Sequence, residues 1–165
     1  MKWRDEYFEP YQWTADQQET QSECMRQSIS GNDILCQAES GAGKAALLVI
    51  ATLQQLDILD GQLSTLVLCF SRENVYKIRE YYERFAKYMA IKTEISLGGM
   101  SCDKDREIFE KESPHIVIGT ALRIRNIIQS GSLKMDKFKW TFFYLENYGF
   151  DVKGKANFAF LTDSH

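Results

Sequence analysis

The chain has 165 residues with a formal net charge of −3, 44% apolar and 26% charged side chains, which is the balance of a globular domain and not of a disordered chain. Its longest uncharged apolar run, Ala45 to Leu53, falls well short of the roughly 20 residues that cross a bilayer. Met1 to Glu6 lacks the apolar core of a signal peptide, so the sequence argues against a secreted or membrane-spanning protein and no membrane partner is expected.

Residues 1–19 read as an N-terminal arm, polar but carrying Trp3, Tyr7, Phe8, Tyr11 and Trp13 between charges. Residues 20–165 read as one domain. A helix is predicted over Thr20–Ile29, stopping before Gly31, then a short apolar strand at Asp33–Gln37 and a glycine-bearing loop over Ala38–Lys44. A helix apolar on nearly all faces follows from Lys44 to Leu56, and a strand at Leu66–Phe70. Arg72–Met89 has the clearest amphipathic pattern, with Val75, Ile78, Tyr82, Phe85 and Met89 on one stripe. Further along come a strand at Ile91–Leu97, a charged helix at Asp103–Lys111, a strand at His115–Gly119, a helix at Ala121–Gln129, a strand at Trp140–Glu146 and an apolar run at Phe158–Leu161. Alternating strands and helices predict an α/β domain, a parallel sheet with helices on both faces. Ligands of such sheets bind at the carboxyl ends of the strands.

Charge is distributed unevenly: residues 1–60 carry 4 basic and 10 acidic side chains, the remainder 16 and 13. No stretch is a dense basic block, so any phosphate contact has to come from a shaped site. Cys24, Cys36, Cys69 and Cys102 form no CxxC pair and lie at no zinc-ligand spacing with His115 or His165. They read as reduced structural thiols, as expected in the cytosol or nucleus, and no metal site is predicted.

Ser40-Gly41-Ala42-Gly43-Lys44-Ala45 sits between a strand and a helix, the setting of a phosphate loop. The glycines let backbone amides point at phosphate oxygens, the helix start adds its dipole, and Lys44 reaches for the outer phosphates. A plain strand–helix turn with a solvated lysine would use the same residues. The residue after the lysine departs from the pattern. A hydroxyl there binds Mg²⁺, and Ala45 has none.

With that loop in place, the ordered segments resemble the first RecA-like domain of DEAD-box RNA helicases, most of all the mRNA-export subfamily whose second nucleotide motif reads Asp-Glu-Cys-Asp. The resemblance rests on Gln21-Ser22-Glu23-Cys24, on the phosphate loop, on Ser71-Arg72-Glu73, on Gly98-Gly99 and on the stretch from Pro114 to Arg123. It implies a RecA-like, P-loop NTPase-type fold. It also implies a nucleotide site of Gln21, Ser40, Gly41, Ala42, Gly43, Lys44 and Ala45, with Glu146 at the water-polarising position. A weak RNA contact is implied at Arg72, Gly98, Gly99, Thr120 and Arg123. Leu145 and Tyr148 stand where the subfamily has aspartates, and the Ser-Ala-Thr coupling motif would fall near Leu161-Thr162-Asp163 without its serine. The second RecA-like domain of the family is not in this sequence.

These departures lead to a catalytically degenerate module that works through protein contacts, with no required cofactor, weak ATP or ADP binding, weak or no RNA binding, and Glu146 vestigial. The resemblance implies a nuclear setting in RNA processing, export or RNA-guided silencing, and a partner shared with an mRNA-export helicase. Trp3 and Trp13 are candidate partner anchors, since interface hot spots favour tryptophan. The same two residues packing on their own domain is the competing reading. Two alternatives stay open: an ATP- and RNA-binding half of an RNA-dependent ATPase whose second domain is supplied in trans, and a passive RNA-binding module.

Overall fold

The computed structural model describes residues 22, 26–27, 34–39, 43–56, 62–135, 140–145 and 155–162, with 34–39, 140, 143, 145 and 155–162 described by backbone alone. Six strands form one sheet: β1 (Ile34–Glu39), β2 (Thr65–Cys69), β3 (Thr93–Ser96), β4 (Ile116–Thr120), β5 (Trp140–Leu145) and β6 (Lys155–Thr162). Four helices alternate with them: α1 (Lys44–Gln55), α2 (Arg72–Phe85), α3 (Cys102–Glu112) and α4 (Ala121–Gln129).

The sheet order is β1-β6-β5-β2-β4-β3. Strands β5, β2, β4 and β3 pair in parallel, as the alternation predicts. The exception is β6, which lies antiparallel to both neighbours, β1 and β5. A parallel return needs a crossover of about a dozen residues or more, whereas an antiparallel one can close with a short link. Nine residues, 146–154, separate β5 from β6. The connection length thus sets the direction of β6, and β1 still runs the same way as β5.

Side-chain alternation along the strands feeds two cores. On one face Val67, Cys69, Ile116, Ile118, Phe142 and Tyr144 pack with Leu48 and Val49 of α1 and with Val75, Ile78 and Tyr82 of α2. On the other face Leu66 and Val117 meet Phe109 of α3 and Ile124 and Ile127 of α4. Both faces of the central strands are therefore covered, as their unbroken apolar runs require. The Tyr82 hydroxyl hydrogen-bonds Thr52 Oγ1, tying α2 to α1 inside the first core. Helix α2 stops at Phe85, short of the predicted Met89, and the Ala86 N–H donates to the Tyr82 carbonyl at 2.8 Å. Burial pushes the Cys69 thiol up to about 12, which suits an unreactive core residue.

Among the described residues no helix is long and apolar enough to cross a membrane.

Candidate functional site

The sheet register gathers the carboxyl ends of four parallel strands into one edge. Cys69 lies opposite both Thr120 and Tyr144, and Ser96 lies opposite Gly119. The loops that leave this edge carry the chemistry-bearing positions.

At the start of α1, Gly43 adopts a left-handed conformation with φ 73°, which a side-chain-bearing residue would resist, and its carbonyl accepts the Leu47 N–H at 3.0 Å. Lys44 and Ala45 follow at only 4% and 3% exposure. The Ala45 methyl belongs to the core between α1 and the sheet. The position at which the motif calls for a metal-binding hydroxyl is therefore a hydrocarbon packed against hydrocarbon. Leu145 ends β5, where the subfamily has its aspartate, and leucine carries no side-chain oxygen either. The described part of the loop fits a phosphate held by backbone amides and Lys44. It does not fit a magnesium ion, which requires near-octahedral oxygen ligation. Gln21, Ser40, Gly41, Ala42, Glu146, Trp3 and Trp13 lie outside the described residues.

The RNA-type positions divide. Arg72, the first residue of α2, donates from Nη2 to the Gly98 carbonyl at 2.6 Å, which joins the start of α2 to the end of β3. Ser71 caps that helix by accepting the Asn74 N–H at 3.1 Å. Gly99 has φ 113°, in the region glycine tolerates. Thr120 opens α4 with no capping bond from its side chain. Arg72, Gly98, Gly99 and Thr120 are thus assembled on one edge.

Arg123 does not join them. The RNA-contact expectation for this residue is corrected by its burial at 7% exposure and by the groups that occupy its guanidinium. Nη2 donates to Asp105 Oδ2 at 2.7 Å, Nε donates to the same oxygen at 3.1 Å, and Nη2 also donates to the Ser101 carbonyl at 3.3 Å. Ser96 Oγ donates to Asp105 Oδ2 at 2.7 Å. The group pins α3, α4 and β3 together. Asp105 and Ser96 escape a motif-based reading. A usable signal exists all the same: Asp105 precedes buried Phe109 by four residues, and Arg123 precedes buried Ile127 by four, so each charge lies on the inward stripe of its helix.

Three large apolar side chains near the same edge are exposed: Phe70 at 50%, Met100 at 42% and Leu122 at 68%. Lys77 of α2 holds its Nζ over the Tyr144 ring, 5.9 Å from the centroid. This links α2 to the strand that ends at Leu145.

Comparison with known proteins agrees with this geometry. The DEAD/DEAH box helicase profile matches residues 18–143, and the chain belongs to the DEAD/DEAH box helicase family. It is 45% identical over 122 residues to the human ATP-dependent RNA helicase DDX39A, and 45% identical over 124 residues to the ATP-dependent RNA helicase SUB2 of Lodderomyces elongisporus. Each alignment covers 73% of this chain and 29% of the relative, so the chain spans less than a third of the length of these proteins. Among solved structures, a hypothetical ATP-dependent RNA helicase from Sulfolobus tokodaii superposes with a TM-score of 0.59 at 22% identity, covering 74% of this chain and 35% of that one. A Saccharomyces cerevisiae Dbp5 variant bound to RNA and ADP BeF3 gives 0.59 at 15% identity, covering 79% and 36%. These two likenesses carry the fold alone.

Proposed function

We propose that this chain is a catalytically degenerate DEAD-box helicase-like domain that acts as a protein-interaction module in nuclear RNA processing, export or RNA-guided silencing. The observation that carries this reading is the direction of β6. Its first residue, Lys155, pairs with Glu39 at the phosphate-loop end of β1, and its last, Thr162, pairs with Trp140 at the start of β5. The segment that resembles the coupling motif, near Leu161 and Thr162, is thereby carried to the amino end of the sheet. At about 3.3 Å per residue this lies roughly 20 Å from the loop it would have to serve. The missing oxygens at Ala45 and Leu145 support the same reading, because phosphoryl transfer relies on a positioned metal ion.

Nucleotide binding is then a residual property: amides and Lys44 hold phosphate weakly, with little help from magnesium. The test is ATP hydrolysis with and without single-stranded RNA, together with calorimetry of ADP and ATP with and without Mg²⁺. Turnover at background and magnesium-independent weak binding are expected. RNA-stimulated hydrolysis that vanishes in Lys44→Ala would overturn the proposal. It would establish the second reading instead, an ATP- and RNA-binding half completed in trans. That reading draws on the Arg72–Gly98 contact, which keeps the RNA-type edge assembled.

A further inference from the structure

We infer that a groove at the amino ends of β2 and β4, on the side of the sheet away from the nucleotide and RNA-type edge, docks a partner's acidic peptide segment that carries an apolar side chain. This rests on the reading of the chain as an interaction module and names the partner chemistry. The groove has a volume of about 420 Å³ and is walled by α3, by the approaches to β2 and β4, and by the turn that follows α4. Its base is hydrocarbon: Phe109 and Leu133 come from the second core, with half-buried Leu63 against them. Such a base takes an aliphatic or aromatic side chain.

The rim sets the charge of the occupant. Arg106 and Lys134 stand on it against a single acid, Glu110. Arg106 is already oriented, donating from Nη2 to the Ser130 carbonyl at 3.2 Å with Nη1 3.6 Å from Asp103 Oδ1. Lys134, by contrast, has no hydrogen bond or ion pair among the described residues. A carboxylate entering over Phe109 would meet a fixed guanidinium and an uncommitted ammonium. Glu110 would accept peptide N–H groups, and it would repel a phosphate backbone, which binds through several neutralised charges at once. Ser113, also on the rim, holds φ at 46°, the one positive value at a non-glycine among the described residues. Glycine is the usual residue at such a helix end, so the strain keeps a hydroxyl where the groove can use it.

The experiment is fluorescence anisotropy on the full chain with four labelled probes: the peptides Asp-Glu-Leu-Phe-Asp-Glu, Lys-Lys-Leu-Phe-Lys-Lys and Asp-Glu-Ser-Ser-Asp-Glu, and an oligouridine. The first peptide is expected to bind about tenfold more tightly than the other two peptides. Lys134→Glu, at an exposed position and checked for fold by circular dichroism, is expected to weaken it by about fivefold. Equal binding of the three peptides, no binding of any, indifference to Lys134→Glu, or oligouridine binding that Lys134→Glu abolishes would each overturn the inference. ATP hydrolysis is measured on the same preparation. Turnover there would sink the interaction-module reading while leaving the peptide result to stand on its own, and a failed peptide titration without turnover would sink the groove alone.

Discussion

On one side of the sheet, β2, β4 and β3 run parallel between two full cores, and a buried ion pair locks α3 to α4. On the other side, β6 runs back antiparallel between β1 and β5, and the adjoining nucleotide positions 45 and 145 hold hydrocarbon. The first region contains what a fold needs: apolar area removed from water and satisfied buried charge. The second contains what phosphoryl transfer needs, a few oxygens and one coupling segment at fixed positions. The two requirements are separable. A chain can keep the packing half of a helicase domain and lose the chemical half without a large cost in stability, because very little of the folding free energy resides in those few oxygens.

The sharpest way to break the first region is to orphan its buried charge. Asp105→Ala leaves the Arg123 guanidinium at 7% exposure without its carboxylate. Removing one partner of a buried pair costs about 3–5 kcal/mol. The urea midpoint should fall accordingly, while Asp103→Ala, at a side chain 82% exposed, should barely move it. An Asp105→Ala variant as stable as the parent would show that the pair contributes nothing and that the comparison is drawn in the wrong place.

Gly119→Ala strikes the same region less hard. A Cβ there would come within 2.7 Å of both Ile124 Cδ1 and the Ser96 carbonyl. The isoleucine tip can turn aside, but the carbonyl belongs to the neighbouring strand. Overpacking of this kind costs about 1–3 kcal/mol. Chemical denaturation of Gly119→Ala beside Gly131→Ala, where a Cβ meets nothing within 4 Å, separates crowding from backbone conformation.

The two regions also differed in how far they could be read from sequence. In the packing half, periods of two and 3.6 in residues such as Val75, Ile78 and Tyr82 report the faces directly, because burial there is periodic. The direction of β6 is invisible in its composition, since the run Phe158 to Leu161 is equally apolar read either way. Only the short link to β5 held the information. Arg123 was assigned from its motif to an RNA surface, and the motif outweighed the inward stripe shared with Ile127. Charged residues on a buried stripe are uncommon enough that the pattern invites a motif explanation before a structural one.

A smaller effect comes from His115, which is buried and accepts the Lys92 N–H on Nδ1 at 3.0 Å. Desolvation, and then the Lys92 charge, hold it below its ordinary value of 6.5. The folded state therefore binds a proton less readily than the unfolded chain. Stability from this group is complete above pH 6.5 and is lost as pH falls from there toward the lowered folded value. The thermal midpoint should fall between pH 7.5 and about 5.5, and more so for the parent than for His115→Asn, whose side-chain oxygen can still accept the Lys92 N–H. Equal pH slopes for the two proteins would remove His115 from the account.

The least change of all is expected where the second region is repaired. Ala45→Ser with Leu145→Asp returns side-chain oxygens to both magnesium positions. If those two losses alone silenced the domain, RNA-stimulated ATP hydrolysis should reappear, given a second domain in trans from a relative. We expect it to stay at background. The repaired positions sit at the carboxyl end of the sheet, and β6 still delivers Leu161 and Thr162 beside Thr141 and Trp140 at the opposite end. Magnesium-dependent ATP binding, by contrast, should return in part, since it depends on local oxygens and not on the coupling segment. Calorimetry and turnover measured on one double variant therefore report the two defects separately. Recovered binding with silent turnover supports the strand-direction argument. Recovered turnover would show that the antiparallel β6 is compatible with coupling, and would leave the two apolar substitutions as the whole difference between the regions.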